Sequence, residues 1–289
     1  MRARKFAAIV MGGALVAGLA ACGSDNSGSS SATTAAGAAT SAGGGAAPAF
    51  KPIKAGTLTV VTSLPGLGFW NGSESDPSKL TSGYEYDIAH AMQQKLGLAN
   101  IEVRNENFDA IVAGQAGQFD IALSQVTITD ERKKVVDFTE PYFDSDQGVL
   151  VKTGTKVADM AAAKKLVWGV QTGTTGADFV NDTVKPDKAA QPFVQLADGF
   201  TALQAGQVDA FMMDVPIVLS EAGTSGGKLE VAAQFKTGEQ YGGILPKGST
   251  NKAAFDALLK GLKDDGSLAK FAAANLGGDP SKVPVIPAG

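Results

Sequence analysis

Short apolar runs and amphipathic stretches alternate along most of this chain. Thr57 to Thr62 is a strand pattern, Tyr84 to Leu98 a helix, and Ile101 to Arg104 a second strand. Phe108 to Ala116 reads as helical, and Phe119 to Leu123 is a buried apolar run of strand length. After a short run at Val149 to Val151, Leu166 to Val170 predicts a strand and Ala177 to Val180 the start of a helix. Phe193 to Leu196 is a strand candidate, Phe200 to Ala205 a helix and Val208 to Met213 a strand. Lys252 to Lys263 and Ser267 to Leu276 close the chain as helices. The alternation predicts an α/β protein with mainly parallel sheets covered by helices.

A local similarity divides this pattern in two. Ala116-Gly117-Gln118-Phe119-Asp120-Ile121-Ala122-Leu123 recurs as Ala205-Gly206-Gln207-Val208-Asp209-Ala210-Phe211-Met212. In both copies a helix is expected to end at Gly, the residue that tolerates a left-handed cap, before a buried strand. Two lobes of similar construction follow, each presenting strand ends to a shared cleft, where ligands of open α/β sheets bind.

The first fifty residues do not follow this pattern. Arg2, Arg4 and Lys5 precede an uncharged run from Phe6 to Ala21, the layout of a signal peptide. With Gly12, Gly13 and Gly18 inside it, that run is short for a membrane span. It ends in Leu19-Ala20-Ala21-Cys22, which resembles the bacterial lipobox. Cleavage before Cys22 would leave a thiol for diacylglycerol attachment; the alternative is a discarded cysteine near an ordinary cleavage site. Cys22 is the chain's one cysteine, so no internal disulfide forms. Gly23 to Ala49 is mostly Ser, Ala, Gly and Thr, a flexible tether reaching roughly 30 Å. Without Arg2, Arg4 and Lys5 the chain keeps 22 Lys+Arg against 29 Asp+Glu, a net charge of −7. An acidic body without basic runs argues against nucleic acid as a partner.

The candidate chemistry lies after strands. Ser124, Gln125, Thr127 and Arg132 follow the Phe119–Leu123 run, and hydroxyls with a guanidinium suit a carboxylate. Gln171 to Thr175 follows the next lobe's first strand, with Thr174 and Thr175 ahead of a helix, a place that favours anions. Asp214 directly follows Ala210 to Met213, where a carboxylate would pair with an ammonium group. Together these describe a receptor for an α-amino acid. Each has a purely structural alternative. Arg132 could pair with Glu131 or Asp137 at the surface. Thr174 and Thr175 could only cap a helix, and Asp214 could cap one starting at Val215, with Pro216 in its first turn.

Eight blocks in order carry a family resemblance. They include Gly83-Tyr84-Glu85-Tyr86-Asp87-Ile88-Ala89, Phe108-Asp109-Ala110-Ile111, Asp120 to Arg132, Val136 to Tyr142, Gly169 to Thr175, Asp209 to Asp214, and Tyr241-Gly242-Gly243-Ile244-Leu245-Pro246-Lys247. The chain resembles the polar amino-acid-binding proteins of bacterial ABC importers, the extracellular solute-binding proteins of family 3. The resemblance implies a type II periplasmic-binding-protein-like fold, two lobes of mainly parallel sheet with flanking helices. Two hinge strands, near Asp144–Val149 and Glu239–Gly243, would join them. It implies a signal peptide over 1–21, a lipid-anchored linker over 22–50, lobe 1 over 51–146 and 241–289, and lobe 2 over 147–240.

By the same resemblance, Arg132, Thr127 and the Thr174/Thr175 turn hold the ligand α-carboxylate, and Asp214 takes the α-ammonium. Ser124 and Gln125 add contacts, and Phe69 and Phe108 stack on the ligand. No cofactor or metal is implied. The partners are an amino acid, a membrane permease, and the membrane through lipidated Cys22. The protein is expected to be an extracytoplasmic monomer on the bacterial cell membrane. Gln125 departs from the commoner Gly, Asn or Ser, and Asp130 from Pro. The Pro65-Gly66-Leu67-Gly68-Phe69 loop leans to glutamate or aspartate, with glutamine or a basic amino acid as runner-up. Arg104 is a candidate partner for a distal carboxylate.

Two rivals share the scaffold. A cyclohexadienyl or arogenate dehydratase-like enzyme would need a titrating group in the cleft. The single histidine, His90, lies about 200° around its helix from Ile88, away from the apolar stripe. A sensory lipoprotein would bind the ligand without delivering it to a permease.

Overall fold

The computed structural model describes residues 49–287. The expected signal peptide, Cys22 and almost all of the linker lie outside the described residues. Among the described residues no helix is long and apolar enough to cross a membrane.

The first lobe starts with β1 (Thr57–Thr62), α1 (Tyr84–Lys95), β2 (Asn100–Asn105), α2 (Phe108–Val112) and β3 (Ile121–Ala122). β1 is buried at every position and pairs in parallel with β2 and β3, so its β-branched run is a central strand. α1 buries Tyr84, Ile88, Ala89 and Met92 as one stripe. Its N-cap, Gly83, sits at φ 138°, and a Cβ there would lie 2.1 Å from the Phe69 carbonyl oxygen. Only glycine allows that approach of loop to helix.

The chain then crosses on β4 (Val136–Lys152) into the second lobe. There α3 (Met160–Lys164), β5 (Trp168–Gln171), α4 (Thr175–Phe179), β6 (Gln191–Phe193), α5 (Leu196–Ala205), β7 (Ala210–Asp214) and α6 (Val215–Thr224) follow. β5 is parallel to both β6 and β7. The chain returns on β8 (Leu229–Pro246) and ends with α7 (Lys252–Asp264) and α8 (Ser267–Asn275). The order across the sheet is β2-β1-β3-β8-β4-β7-β5-β6, so the antiparallel pair β4/β8 carries a parallel set on each side. This is the expected two-lobed architecture on two connecting strands.

The β4/β8 ladder shifts register at four places, one of them near its middle between the Ser145–Glu239 and Gln147–Phe235 pairs. Asp146 fills that central break: its carboxylate accepts the Thr237 and Gly238 N–H groups at 2.9 and 3.1 Å and the Lys236 ammonium at 2.9 Å. The bulge therefore falls within the segment expected to be a hinge.

The structure corrects several element boundaries. Val149 to Val151 is the end of the 17-residue β4, whose Pro141, Asp144, Asp146 and Gly148 interrupt any strand pattern. β8 runs well beyond the hinge strand expected near Glu239–Gly243, and α6, expected only as the alternative in which Asp214 caps a helix at Val215, begins there with Pro216 in its first turn. β3 covers only two residues of the Phe119–Leu123 run, and β6 ends at Phe193, so Leu196 opens α5 instead. The two similar segments also differ. Gly206 caps α5 at φ 77°, whereas α2 ends at Val112 and Gly117 sits in a later turn. After α8 the tail reaches the second lobe, where Gln234 exchanges backbone hydrogen bonds with Pro284 and Ile286, and Ile286 is buried beside Phe235 and Trp168.

Candidate functional site

β3 delivers Ser124 and Gln125 to the cleft between the lobes. Gln125 adopts φ 51°, a left-handed conformation that costs a non-glycine residue about 1 kcal/mol or more. The fully buried carboxylate of Glu85 holds it there, accepting the Gln125 N–H at 2.8 Å and the Gln125 side-chain amide. Glu85 also accepts Trp70 Nε1 at 2.8 Å and the Tyr142 hydroxyl. Burial pushes the Glu85 carboxyl up while these four donors oppose the shift. The Ser124 hydroxyl oxygen accepts the Ser63 N–H at 3.0 Å.

Arg132 opens a 3-10 turn, with its N–H donating to Thr129 Oγ1 at 3.2 Å. Its side chain is only 9% exposed. One guanidinium nitrogen donates to the Thr127 carbonyl at 2.6 Å; the other reaches the second lobe, to the Gly173 carbonyl at 2.9 Å. The Phe108 ring lies 5.6 Å below it. The surface alternative for Arg132 is not realised, since Glu131 pairs with Lys134 and Asp137 with Lys247.

The second lobe and the connecting strands face Arg132 with acids. Asp214, at the end of β7, makes no capping bond to α6 and is 4% exposed. Its two oxygens accept Gln147 Nε2 at 2.5 Å and the Tyr241 hydroxyl at 2.6 Å. Burial, reinforced by the neighbouring Glu239 charge, pushes its carboxyl up to about 7. Glu239 Oε2 accepts Gln147 Nε2 at 2.8 Å, Thr175 Oγ1 at 3.1 Å and Thr127 Oγ1 at 3.2 Å. Its carboxyl is also raised, by burial against the pull of those donors and of Arg132.

The expected residues separate into groups. Arg132, Thr127, Thr175 and Asp214 converge through Gln147 and Glu239. Thr174 behaves as a cap: its hydroxyl accepts the Ala177 N–H at 3.1 Å and donates to the Gln171 carbonyl at 2.8 Å. Phe69 is fully buried with its ring edge-on to Tyr84, Phe143 and Tyr241, and so supports Tyr241 from behind. Phe108, Ser124 and Gln125 line a cavity of about 20 Å³ together with Ser63, Gln171 and Met213. That is room for one water at most, so the cleft is tightly shut. Two polar contacts close its rim, Thr172 Oγ1 to Asp109 at 2.7 Å and Gln195 Nε2 to Asn107 at 2.8 Å. A larger groove of about 430 Å³ runs along α7 by Glu140 and Lys260, well outside this cluster.

Arg104 is not a cleft residue. It staples the turn before β3, donating to the Ala116 and Gln118 carbonyls at 2.7 Å and to Glu106 at 2.8 Å. His90 packs on Tyr86, with Nδ1 2.8 Å from the Tyr86 carbonyl oxygen. Gln147, Glu239 and Tyr241 were missed as site residues. They sit on β4 and β8, and the only signal was their position in or beside the expected hinges.

Residues 72–278 match the profile of the bacterial extracellular solute-binding proteins, family 3. The arginine-binding periplasmic protein of Mannheimia haemolytica is 30% identical over 202 residues, covering 68% of this chain and 82% of that protein. The solved structure of an ancestral arginine-binding protein bound to glutamine gives a TM-score of 0.69 at 31% identity, covering 77% of this chain and 99% of that one. An ancestral amino-acid-binding protein, a precursor of cyclohexadienyl dehydratase, gives 0.66 at 29% identity, covering 77% and 96%.

Proposed function

The chain belongs to the bacterial extracellular solute-binding proteins, family 3, and we propose on that premise that it is the receptor of an ABC importer for a polar amino acid. The carrying observation is the pairing of opposite buried charges across one cleft. Arg132 stands on the first lobe and Asp214 on the second, each held by hydrogen bonds and each with little access to water. A zwitterion supplies the complementary pair, its carboxylate to Arg132, Thr127 and Thr175 and its ammonium to Asp214. Because the closed cleft is too small for an amino acid, the lobes must part to admit one. Bound ligand then favours a closed form wide enough to hold it, by its greater affinity for that form than for the open one. The permease reads that closed shape.

In this reading the lobes are residues 51–146 with 241–289, and 147–240, with the tail past α8 strapped back onto the second lobe. Hinge motion centres on the Asp146 bulge. The signal peptide is removed before Cys22, and the lipidated cysteine tethers a monomer outside the cell membrane. The lean to glutamate or aspartate rests on the Pro65–Phe69 loop alone, because Arg104 is occupied elsewhere.

A thermal-shift screen of the twenty amino acids tests the receptor, since a ligand that binds only the folded state raises the melting temperature. At least one polar amino acid should raise it by several degrees; no shift with any of them sinks the reading. One observation favours a second reading. A carboxyl near pH 7 beside another acid, as Asp214 is beside Glu239, suits general acid–base work. Turnover of prephenate or arogenate would establish that enzyme; we expect none.

A further inference from the structure

The cleft carries a cluster of charges at one end, and the Glu85 carboxylate beside its lining lies behind Gln125 and is taken up by its own donors. Arg132, Asp214 and Glu239 form one cluster around Gln147. Beyond them the cavity is walled by Ser63, Ser124, Gln125 and Gln171 on its polar side and by side chains such as Phe108 and Met213 on its apolar side. No lining residue of this cavity is ionisable. In this closed form the cavity holds no side chain; once the lobes part, these residues are the ones left to face the side chain of an amino acid held between Arg132 and Asp214.

Existing hydrogen bonds fix what those polar groups can still offer. The Ser124 oxygen accepts the Ser63 N–H, so its O–H remains to donate. The Gln125 amide nitrogen is committed to Glu85, and the left-handed backbone there is held by the same carboxylate. Gln125 is therefore fixed with its carbonyl oxygen, an acceptor, as the group left to serve the cavity. One donor and one acceptor on adjacent residues complement a carboxamide, which carries both.

From this placement we infer that the ligand is an amino acid with a carboxamide side chain, glutamine or asparagine, and that Ser124 and Gln125 select it. The inference rests on the receptor reading above. A side-chain carboxylate would meet the Gln125 carbonyl oxygen with no cation near it. A guanidinium or ammonium would find no free carboxylate to pair with, since Glu85 is already held by Trp70, Gln125 and Tyr142. Both are penalised, because a buried charge needs a partner. A thioether of equal length fits the apolar wall but leaves the Ser124 and Gln125 groups unsatisfied.

The test is calorimetric titration of the folded protein with glutamine, asparagine, glutamate, arginine and methionine. Glutamine or asparagine should bind at least a hundredfold tighter than glutamate or arginine, and at least tenfold tighter than methionine. Equal or tighter binding of glutamate or arginine overturns the carboxamide assignment and leaves the amino-acid receptor standing. Methionine binding as tightly as glutamine also overturns it, showing a cavity read by shape alone. Failure of every amino acid to bind removes the receptor reading, and the assignment falls with it.

Discussion

Tyr241 donates its hydroxyl to Asp214 at 2.6 Å, so a residue of β8 supports the ionised form of one at the end of β7. The bond favours the ionised carboxylate against burial, which acts the other way. Tyr241→Phe keeps the ring in its aromatic cluster and removes only that donor. A hydrogen bond to a charged group is worth about 1.5–3 kcal/mol, so amino-acid affinity at neutral pH should fall about tenfold or more. Calorimetry on the variant checks this, and an unchanged affinity would separate Tyr241 from ligand binding.

Arg132→Ala should weaken binding at least a hundredfold, because the ligand carboxylate loses its cation in a desolvated cleft. The variant also loses the bridge to the Gly173 carbonyl. Its melting temperature should nevertheless drop by no more than several degrees, since the Phe108 side keeps its apolar neighbours. Titration with the best ligand of the thermal-shift screen measures the loss; retained affinity would place the carboxylate elsewhere.

The raised Asp214 carboxyl predicts a pH dependence with a defined sign. In the unfolded chain Asp214 ionises near 3.8, and in the folded protein near about 7. Between those values the folded state binds the extra proton, so this group's contribution to stability falls as pH rises. Ammonium binding needs the ionised form, so affinity should increase as pH rises through about 7. Asp214→Asn should raise the melting temperature at pH 8 and abolish most binding. A flat affinity profile from pH 5.5 to 8 would show that Asp214 is ionised throughout.

Glu239 occupies the hydroxyls of Thr127 and Thr175 that a ligand carboxylate would use. It also lifts the Asp214 carboxyl by its charge. Glu239→Gln keeps the shape and an oxygen that can accept those hydroxyls, and removes the charge. Affinity at pH 7 should rise severalfold, and the pH midpoint of binding should move down. A fall in affinity would instead mean that Glu239 holds the ligand ammonium directly.

The jaws of the cleft were legible in the sequence because each is local. Arg132 lies within a few residues of Thr127, and Asp214 directly follows its apolar strand. The purely structural readings of Arg132 and Asp214 could be set aside only when their partners were seen: Lys134 and Lys247 take the acids near Arg132, and Asp214 turns from α6 to Tyr241. Thr174 went the other way, as the helix cap its hydroxyl allowed. Arg104 read as a free cation at a strand end until the turn it staples came into view.

The sequence by itself determined the α/β alternation, the two-lobed division and the opposite charges brought to one cleft. Those features rest on periodicity and on residues next to strand ends, which local patterns encode. Two connecting strands were expected from the family resemblance, but only the tertiary structure decided how far β4 and β8 run and that they bring Gln147, Glu239 and Tyr241 into the site. Thr127 meets Glu239 across a sequence separation of 112 residues, and Gln147 meets Asp214 across 67. Contacts of that range are set by strand register and by the bulge at Asp146. Neither leaves a repeating trace in a strand interrupted by proline, glycine and acidic residues.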